Sequence, residues 1–359
     1  MSQAAPRPPM RLRGVDADLV LAKPVRLTLA DVPVSELPDR LAEQFSVPVY
    51  LDVPALEDAH IAQNTLLKCA GPYTSLDEGL AALLVPAGLS WLVDDGVVVI
   101  TSAQVAAEHL ECRIYRLLQA QDFDELIDGI VKIAPTTWSE NNGTGALARL
   151  EPDLLLILQT RDVHRQVAAQ CIAQMRPLPH VVARQLRPAI AWAAQHRALG
   201  QLVNCEFNAE PLKQAIHKLG ERAKVPITLD TQDDIKPAVP VSFDLEGVRA
   251  ATVLRRLLGP LQLTYLPDNR GLLVTTPEVA EAKQFTVLYP VQDVVAANPA
   301  ETIIAAIERT VDPTSWSAVG GDGKITFQPA RNSFEIEQTY DVHCRLEQWI
   351  ADLRAARKQ

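Results

Sequence analysis

QTRDVHRQ (159–166) returns as QTYDVHCR (338–345). An Asp-x-His pair could hold a metal or move a proton, so the recurrence offers two readings: two active sites, or one piece of architecture built twice. The surrounding sequence decides for architecture. SVPVYLD (46–52) aligns with KVPITLD (224–230), LLVPAGLSWLVDDGVVVITS (83–102) with LLGPLQLTYLPDNRGLLVTT (257–276), and APTTWS (134–139) with DPTSWS (312–317). The matches keep one order at an offset of about 175–179 residues, the mark of an internal duplication.

The DVH segments fit that view. Thr160 and Thr339 stand where an N-cap belongs, and Asp162 and Asp341 fall in the first helical turn, where a carboxylate complements the helix dipole. Val163, Val167, Cys171 and Met175 form an apolar stripe, mirrored by Val342, Leu346, Ile350 and Leu353. Two residues apart on a helix, Asp and His point to nearly opposite sides, so they are not expected to share a metal or a proton.

Each half divides into an A and a B part. In the A parts, VRLTLADV (25–32) alternates as a strand and VSELPDRLAEQF (34–45) places Leu37, Leu41 and Phe45 on one helical face. TSLDEGLAALLV (74–85) reads as a second helix capped by Thr74 or Ser75, and Asp94-Asp95-Gly96 as a hairpin turn. CEFN, PLKQAIHKLGERA, ITLD, VSFDLE, ATVLRRLL, LTYL and LLVTT repeat the series, so the order is β-α-β-β-α-β-β. The B parts read β-α-β-β-α, closing on helices at 161–176 and 340–356. The expected fold class is therefore α+β, a duplicated two-module unit of small mixed sheets packed on helices. The expected boundaries are a flexible tail (1–19), A1 (20–107), B1 (108–179), a linker with a short helix where the halves meet (180–201), A2 (202–280) and B2 (281–359).

The chain of 359 residues suits two to four small domains, and 48% hydrophobic with 22% charged residues is ordinary for a globular protein. A formal net charge of −10 argues against sequence-independent binding of nucleic acid or anionic lipid. Cys69, Cys112, Cys171, Cys205 and Cys344 are widely spaced with no C-x-x-C pair, and read as buried free thiols, not as disulfides or a zinc site. MSQAAPRPPMRLRGV (1–15) has no apolar signal core, and LLLIL (154–158) and VVVI (97–100) are too short to span a bilayer. These features set a cytoplasmic expectation without membrane insertion; an envelope location would require an export segment upstream of Met1.

The remaining chemical candidates read as structure. GGDGK (320–324) lacks the Ser/Thr after its lysine and the helix that a phosphate loop needs, and NNGTG (141–145) has no lysine. Trp138 and Trp316, each after Pro and two small hydroxyl residues, are read as packing anchors; the alternative makes them interface hot spots. Asp94-Asp95-Gly96 lacks the rest of a calcium loop. His60, His109, His180, His196 and His217 have no ligand spacing. No catalytic, metal or cofactor residue is assigned.

TLADVPVSELPDRLAEQFSVPVYLD and CEFNAEPLKQAIHKLGERAKVPITLD, with the hairpins GLSWLVDDGVVVIT and QLTYLPDNRGLLVTT, resemble the short N-terminal (STN) module of secretins and TonB-dependent receptors. The B parts resemble the secretin N1 module, with its KH-like order. The resemblance covers roughly nine tenths of the chain through apolar spacing, not invariant chemical groups. It implies protein–protein contact: such modules stack into rings in secretins, and the STN module of transducers meets a signalling protein. The chain has neither the long pore-forming region of a secretin nor an outer-membrane barrel, so the modules are implied and not a complete channel. The expected function is thus a non-catalytic interaction or assembly module for a protein partner or another copy, with strand addition at an exposed edge as one mechanism. A KH-like nucleic-acid binder is an alternative, although its GXXG loop between helices is missing. An enzyme with a cleft between the repeats is the other.

Overall fold

The change from alternating to helical apolar spacing within each A part is followed by the backbone. The computed structural model describes residues 17–118, 123–171, 173–178, 192–231 and 235–358. Residues 1–16 of the expected tail and 180–191 of the expected linker lie outside these. The first half runs α1 (Ala17–Leu21), β1 (Val25–Pro33), α2 (Leu37–Phe45), β2 (Val49–Leu51), α3 (Val53–Asp58), β3 (Leu66–Tyr73), α4 (Leu76–Leu84), β4 (Leu89–Asp94) and β5 (Val97–Ser102). It continues with α5 (Ala103–Glu108), β6 (Leu110–Leu117), α6 (Phe123–Ile133), β7 (Ala146–Leu150), β8 (Leu154–Thr160), α7 (Arg161–Gln170) and β9 (Met175–Pro177). The second half runs α8 (Ala193–Leu199), β10 (Leu202–Pro211), α9 (Leu212–Ala223), β11 (Ile227–Leu229), β12 (Pro240–Arg249), α10 (Ala250–Leu258), β13 (Thr264–Asp268) and β14 (Gly271–Thr275). After α11 (Pro277–Glu281) come β15 (Phe285–Pro290), α12 (Gln292–Val295), α13 (Ala300–Thr310), β16 (Lys324–Gln328), β17 (Ser333–Gln338) and α14 (Tyr340–Ala356). The fold is α+β, with small mixed sheets packed on helices.

The chain forms two compact units, and each draws on both halves: Met1–Ala106 with Ala194–Pro277, and Ala107–Ala193 with Glu278–Gln359. In the first unit, β1 pairs antiparallel with β3, and β5 is flanked by parallel β2 and antiparallel β4. β10–β12 and β11-β14-β13 repeat this arrangement. Ser75 caps α4 by accepting from the Glu78 N–H at 3.1 Å, while the Glu78 carboxylate accepts from the N–H and hydroxyl of Thr74 at 2.8 and 2.6 Å. Asp95 and Gly96 both have positive φ, at 54° and 85°, the geometry of a two-residue hairpin turn.

In the second unit, β8 is central in the order β7-β8-β6-β9, and β17 in β15-β17-β16. Tyr115, Leu147, Leu155 and Ile157 project from one face of the first sheet into a core with Leu126, Ile130, Trp138, Val163 and Val167. The opposite face is equally apolar. Ile114, Ala146, Ala148, Leu150, Leu154, Leu156 and Leu158 are all buried there; α13 lies against β7 and β8, and α14 against β6. A strand buried on both faces reads as a continuous apolar run, which is why LLLIL does not alternate. SFEIEQ of β17 does alternate, because only one of its faces is covered.

One helix departs from expectation. α7 ends at Gln170, not near 176, and Met175 begins β9, which pairs antiparallel with β6. The Cys171 carbonyl accepts from the N–H groups of Gln174 and Met175 as the chain turns out of the helix. Among the described residues no helix is long and apolar enough to cross a membrane.

The Gly-rich loops explain themselves sterically. A Cβ on Gly143 would lie 2.1 Å from the Thr137 carbonyl carbon, and one on Gly321 would lie 2.3 Å from that of Ser315. We expect Gly321→Ala to destabilise the protein by about 2–4 kcal/mol. Gly129→Ala, on a helix with open space around it, should stabilise by about 0.5–1 kcal/mol. Urea denaturation of both variants tests the pair.

Candidate interaction surface

The repeated QT-x-DVH stretch is engaged at every polar position. Gln159 donates to the hydroxyl and carbonyl of Thr137 at 2.6 and 3.3 Å and accepts from the Thr160 N–H at 2.9 Å. Gln338 repeats this with Ser315 at 2.7 and 3.3 Å and with Thr339 at 2.8 Å. Thr160 and Thr339 cap α7 and α14 by accepting from Val163 and Val342. Asp162 pairs at the surface with Arg165 and Gln166, whereas His164 is buried. The His164 Nδ1 meets the Tyr115 hydroxyl at 2.9 Å and its Nε2 meets the Glu111 carbonyl at 2.9 Å. His343 makes the same pair with Tyr289 and Phe285 at 2.9 and 2.8 Å. Asp and His thus face different surroundings, and each His ties its closing helix to the first strand of its module.

Trp138 and Trp316 are both 0% exposed. Each sits at the neck of its loop, paired with Gly145 or Gly323 by an isolated bridge, and the Trp316 indole donates to the Val311 carbonyl at 2.7 Å. They anchor loops and offer no surface to a partner. The scattered histidines form no cluster with other ligands: among the described residues no group of three or more His, Cys, Asp or Glu could hold a metal ion. His180 lies outside those residues. The five cysteines are free thiols, and burial pushes Cys112 up to about 12.

At the start of their closing helices B1 and B2 differ in charge. Glu111 is buried beside Arg113, at 2.6 and 2.9 Å, and Arg161, at 3.2 Å. Burial opposes its charge, but the guanidiniums of Arg161 and Arg113 hold the carboxyl well below the usual carboxylate range. The matching residues in B2 are Phe285, Val287 and Tyr340, and Trp192 packs edge-on against Phe285 at 4.7 Å and Tyr340 at 5.9 Å.

Two joints hold like modules together. In the first unit the A1 hairpin turn meets α10 of A2. Asp95 accepts from Arg249, from the Thr252 hydroxyl at 2.8 Å and from Arg255 at 3.4 Å. Asp94 accepts from Arg255 at 3.1 Å and Arg256 at 2.5 Å. The Arg256 guanidinium lies 5.8 Å from the Tyr50 ring centre, and Tyr50 in turn meets Phe243 at 5.8 Å. In the second unit the Asn298 amide grips the strand end of B1, accepting from the Glu151 N–H at 2.8 Å and donating to its carbonyl at 2.9 Å. Arg309 donates to the Leu147 carbonyl at 3.4 Å. Sequence reasoning missed both joints, because their residues lie roughly 150 positions apart and share no motif.

The sheet face of B2 that corresponds to the buried B1 face is open. It carries Thr286, Leu288, Lys324, Thr326, Gln328, Glu335 and Glu337, exposed or half-buried; Lys324 pairs with Glu337 at 3.0 Å and Gln328 with Glu335 at 3.4 Å. β16 is one edge of that sheet.

His343 gives this unit an acid sensitivity. Burial lowers it to about 4, against the opposing hydrogen bond to Phe285. The unfolded chain, with its imidazole near the ordinary 6.5, therefore binds the extra proton first. Stability present above pH 6.5 is lost as pH falls towards 4, by about 3 kcal/mol. We expect His343→Gln to flatten that part of the stability–pH profile relative to the wild-type chain in urea titrations.

No family model and no curated protein matches the chain. Among solved structures, it is similar to XcpQN012 at 14% identity and a TM-score of 0.19, over 42% of this chain and 64% of that one. It is similar to the enterotoxigenic Escherichia coli GspC–GspD complex from the type II secretion system at 18% identity and 0.17, over 42% and 96%. The Klebsiella pneumoniae type II secretion system outer membrane complex of PulD, PulS and the PulC HR domain gives 14% and 0.20, over 90% and 49%. The chain thus spans less than two thirds of the first and third of these. At such scores the reading of the surface rests on its own geometry.

Proposed function

We propose that the chain is a non-catalytic interaction module that binds another protein through B2. The observation that carries this reading is the docking already present in the second unit, where the face of one module's sheet receives two helices of another. The same platform recurs on B2 with a polar, accessible surface, and the β16 edge beside it can accept an extended segment. The polar groups of the repeated motifs support the same reading, since Gln159, Gln338, His164 and His343 are engaged in holding loops and helix starts. The STN-like and N1-like patterns of the sequence point in the same direction.

A photoreactive residue in place of Thr326 tests the proposal in cells, with the same residue in place of Glu140 as control. The expected outcome is a covalent adduct with one protein from position 326 alone, diminished several-fold by Glu335→Lys. Adducts that are equal at both positions, or unaffected by the charge change, would overturn it. Salt-sensitive binding of single-stranded RNA would favour the KH-like alternative, and a ligand-dependent rise in melting temperature would favour an enzymatic pocket.

A further inference from the structure

The sheet-to-helix joint of the second unit is heterologous: B1 presents a sheet face, and B2 answers with α13 and α14. A joint of that kind can be repeated indefinitely between copies, giving a ring or a filament. Here it is used once, inside the chain. We propose that both outward ends of this two-module stack are built to refuse a second copy of the chain through the same joint.

The acceptor end is B2. At the positions of Leu154, Leu156 and Leu158 it has Ser333, Glu335 and Glu337, and at those of Ala146, Ala148 and Leu150 it has Lys324, Thr326 and Gln328. Covering that face with a helix pair would strip water from two carboxylates and a lysine that are now paired at the surface. The backbone grip fails as well. Asn298 holds both the N–H and the carbonyl of Glu151, and the matching residue on B2 is Pro329, which has no N–H to give.

The donor end is B1. Ala306, Thr310 and Trp349 are buried on α13 and α14, and the Thr310 side chain is also hydrogen-bonded to Cys112 of the B1 face. The corresponding residues on α6 and α7 are Gly129, Ile133 and Gln170, with Gly129 and Gln170 exposed. α7 stops at Gln170, so nothing on it stands for Asp352 or Ala356 of the longer α14. Repeat proteins end their stacks with polar terminal faces for the same physical reason. The difference here is that the stack has only two members.

Sedimentation velocity of the full chain over a hundredfold range of concentration tests the proposal, together with Thr326→Arg on the acceptor face and Gly129→Arg on the donor face. Both substitutions are at exposed positions and leave the internal joint untouched. The expected result is a monomer throughout for all three proteins. Association of the wild-type chain that either substitution weakens tenfold or more would overturn the proposal, since it would show the joint operating between copies. Association that both variants retain unchanged would place the contact on another surface and leave the joint closed. This readout is independent of partner capture through B2, so the two proposals can fail separately.

Discussion

The apolar second face of the B1 sheet is the constraint around which the second unit is organised. Leu154, Leu156 and Leu158, with Leu150 beside them, cannot face water without forfeiting about 1.5–3 kcal/mol each. That sum is comparable with the whole stability of an ordinary domain. α13 and α14 supply the cover, so B1 depends on a part of the chain that follows it by more than a hundred residues. The hydrogen bonds of Asn298 and Arg309 fix the register of that cover, while the leucines make it necessary.

The first unit solves a similar problem with charge. Two aspartates at a hairpin tip meet Arg249 at the end of β12 and Thr252, Arg255 and Arg256 on α10, each pair partly buried. Like the sheet-to-helix joint, the contact is directional: the first module gives its hairpin and the second gives its helix. The A2 turn, Asp268-Asn269-Arg270, and the A1 helix, with Glu78, Ala81 and Ala82 at the places of Thr252, Arg255 and Arg256, carry different chemistry. At each joint the equivalent surfaces of the two halves thus differ in chemistry, and one pair of them is complementary.

Much of this was legible in the sequence, and for identifiable reasons. Local rules sufficed for the threonine caps, the two-residue turn at Asp95-Gly96 and the order of elements, since each depends on neighbours a few residues away. The matched Trp-loop and Gly-loop segments also pointed to packing, and the indoles are indeed enclosed. Other features needed tertiary partners. Gln159 looks like any surface glutamine until Thr137 is brought beside it. The partner of His164 is a tyrosine on another strand. LLLIL read as a short apolar run, and nothing in it told that both its faces are buried or which helices cover it. The early end of α7 was hidden by an apolar stripe that Met175 continues from a strand instead of a helix.

The interleaving of the halves has a consequence for biosynthesis. Each compact unit is completed only by residues from the second half of the chain. At about 5–20 residues per second, the ribosome takes roughly 7–28 s to add the residues between β8 and α13. Throughout that interval the leucine face of the B1 sheet has no cover from its own chain. The nascent chain thus carries an apolar, half-built sheet for a time long compared with collapse.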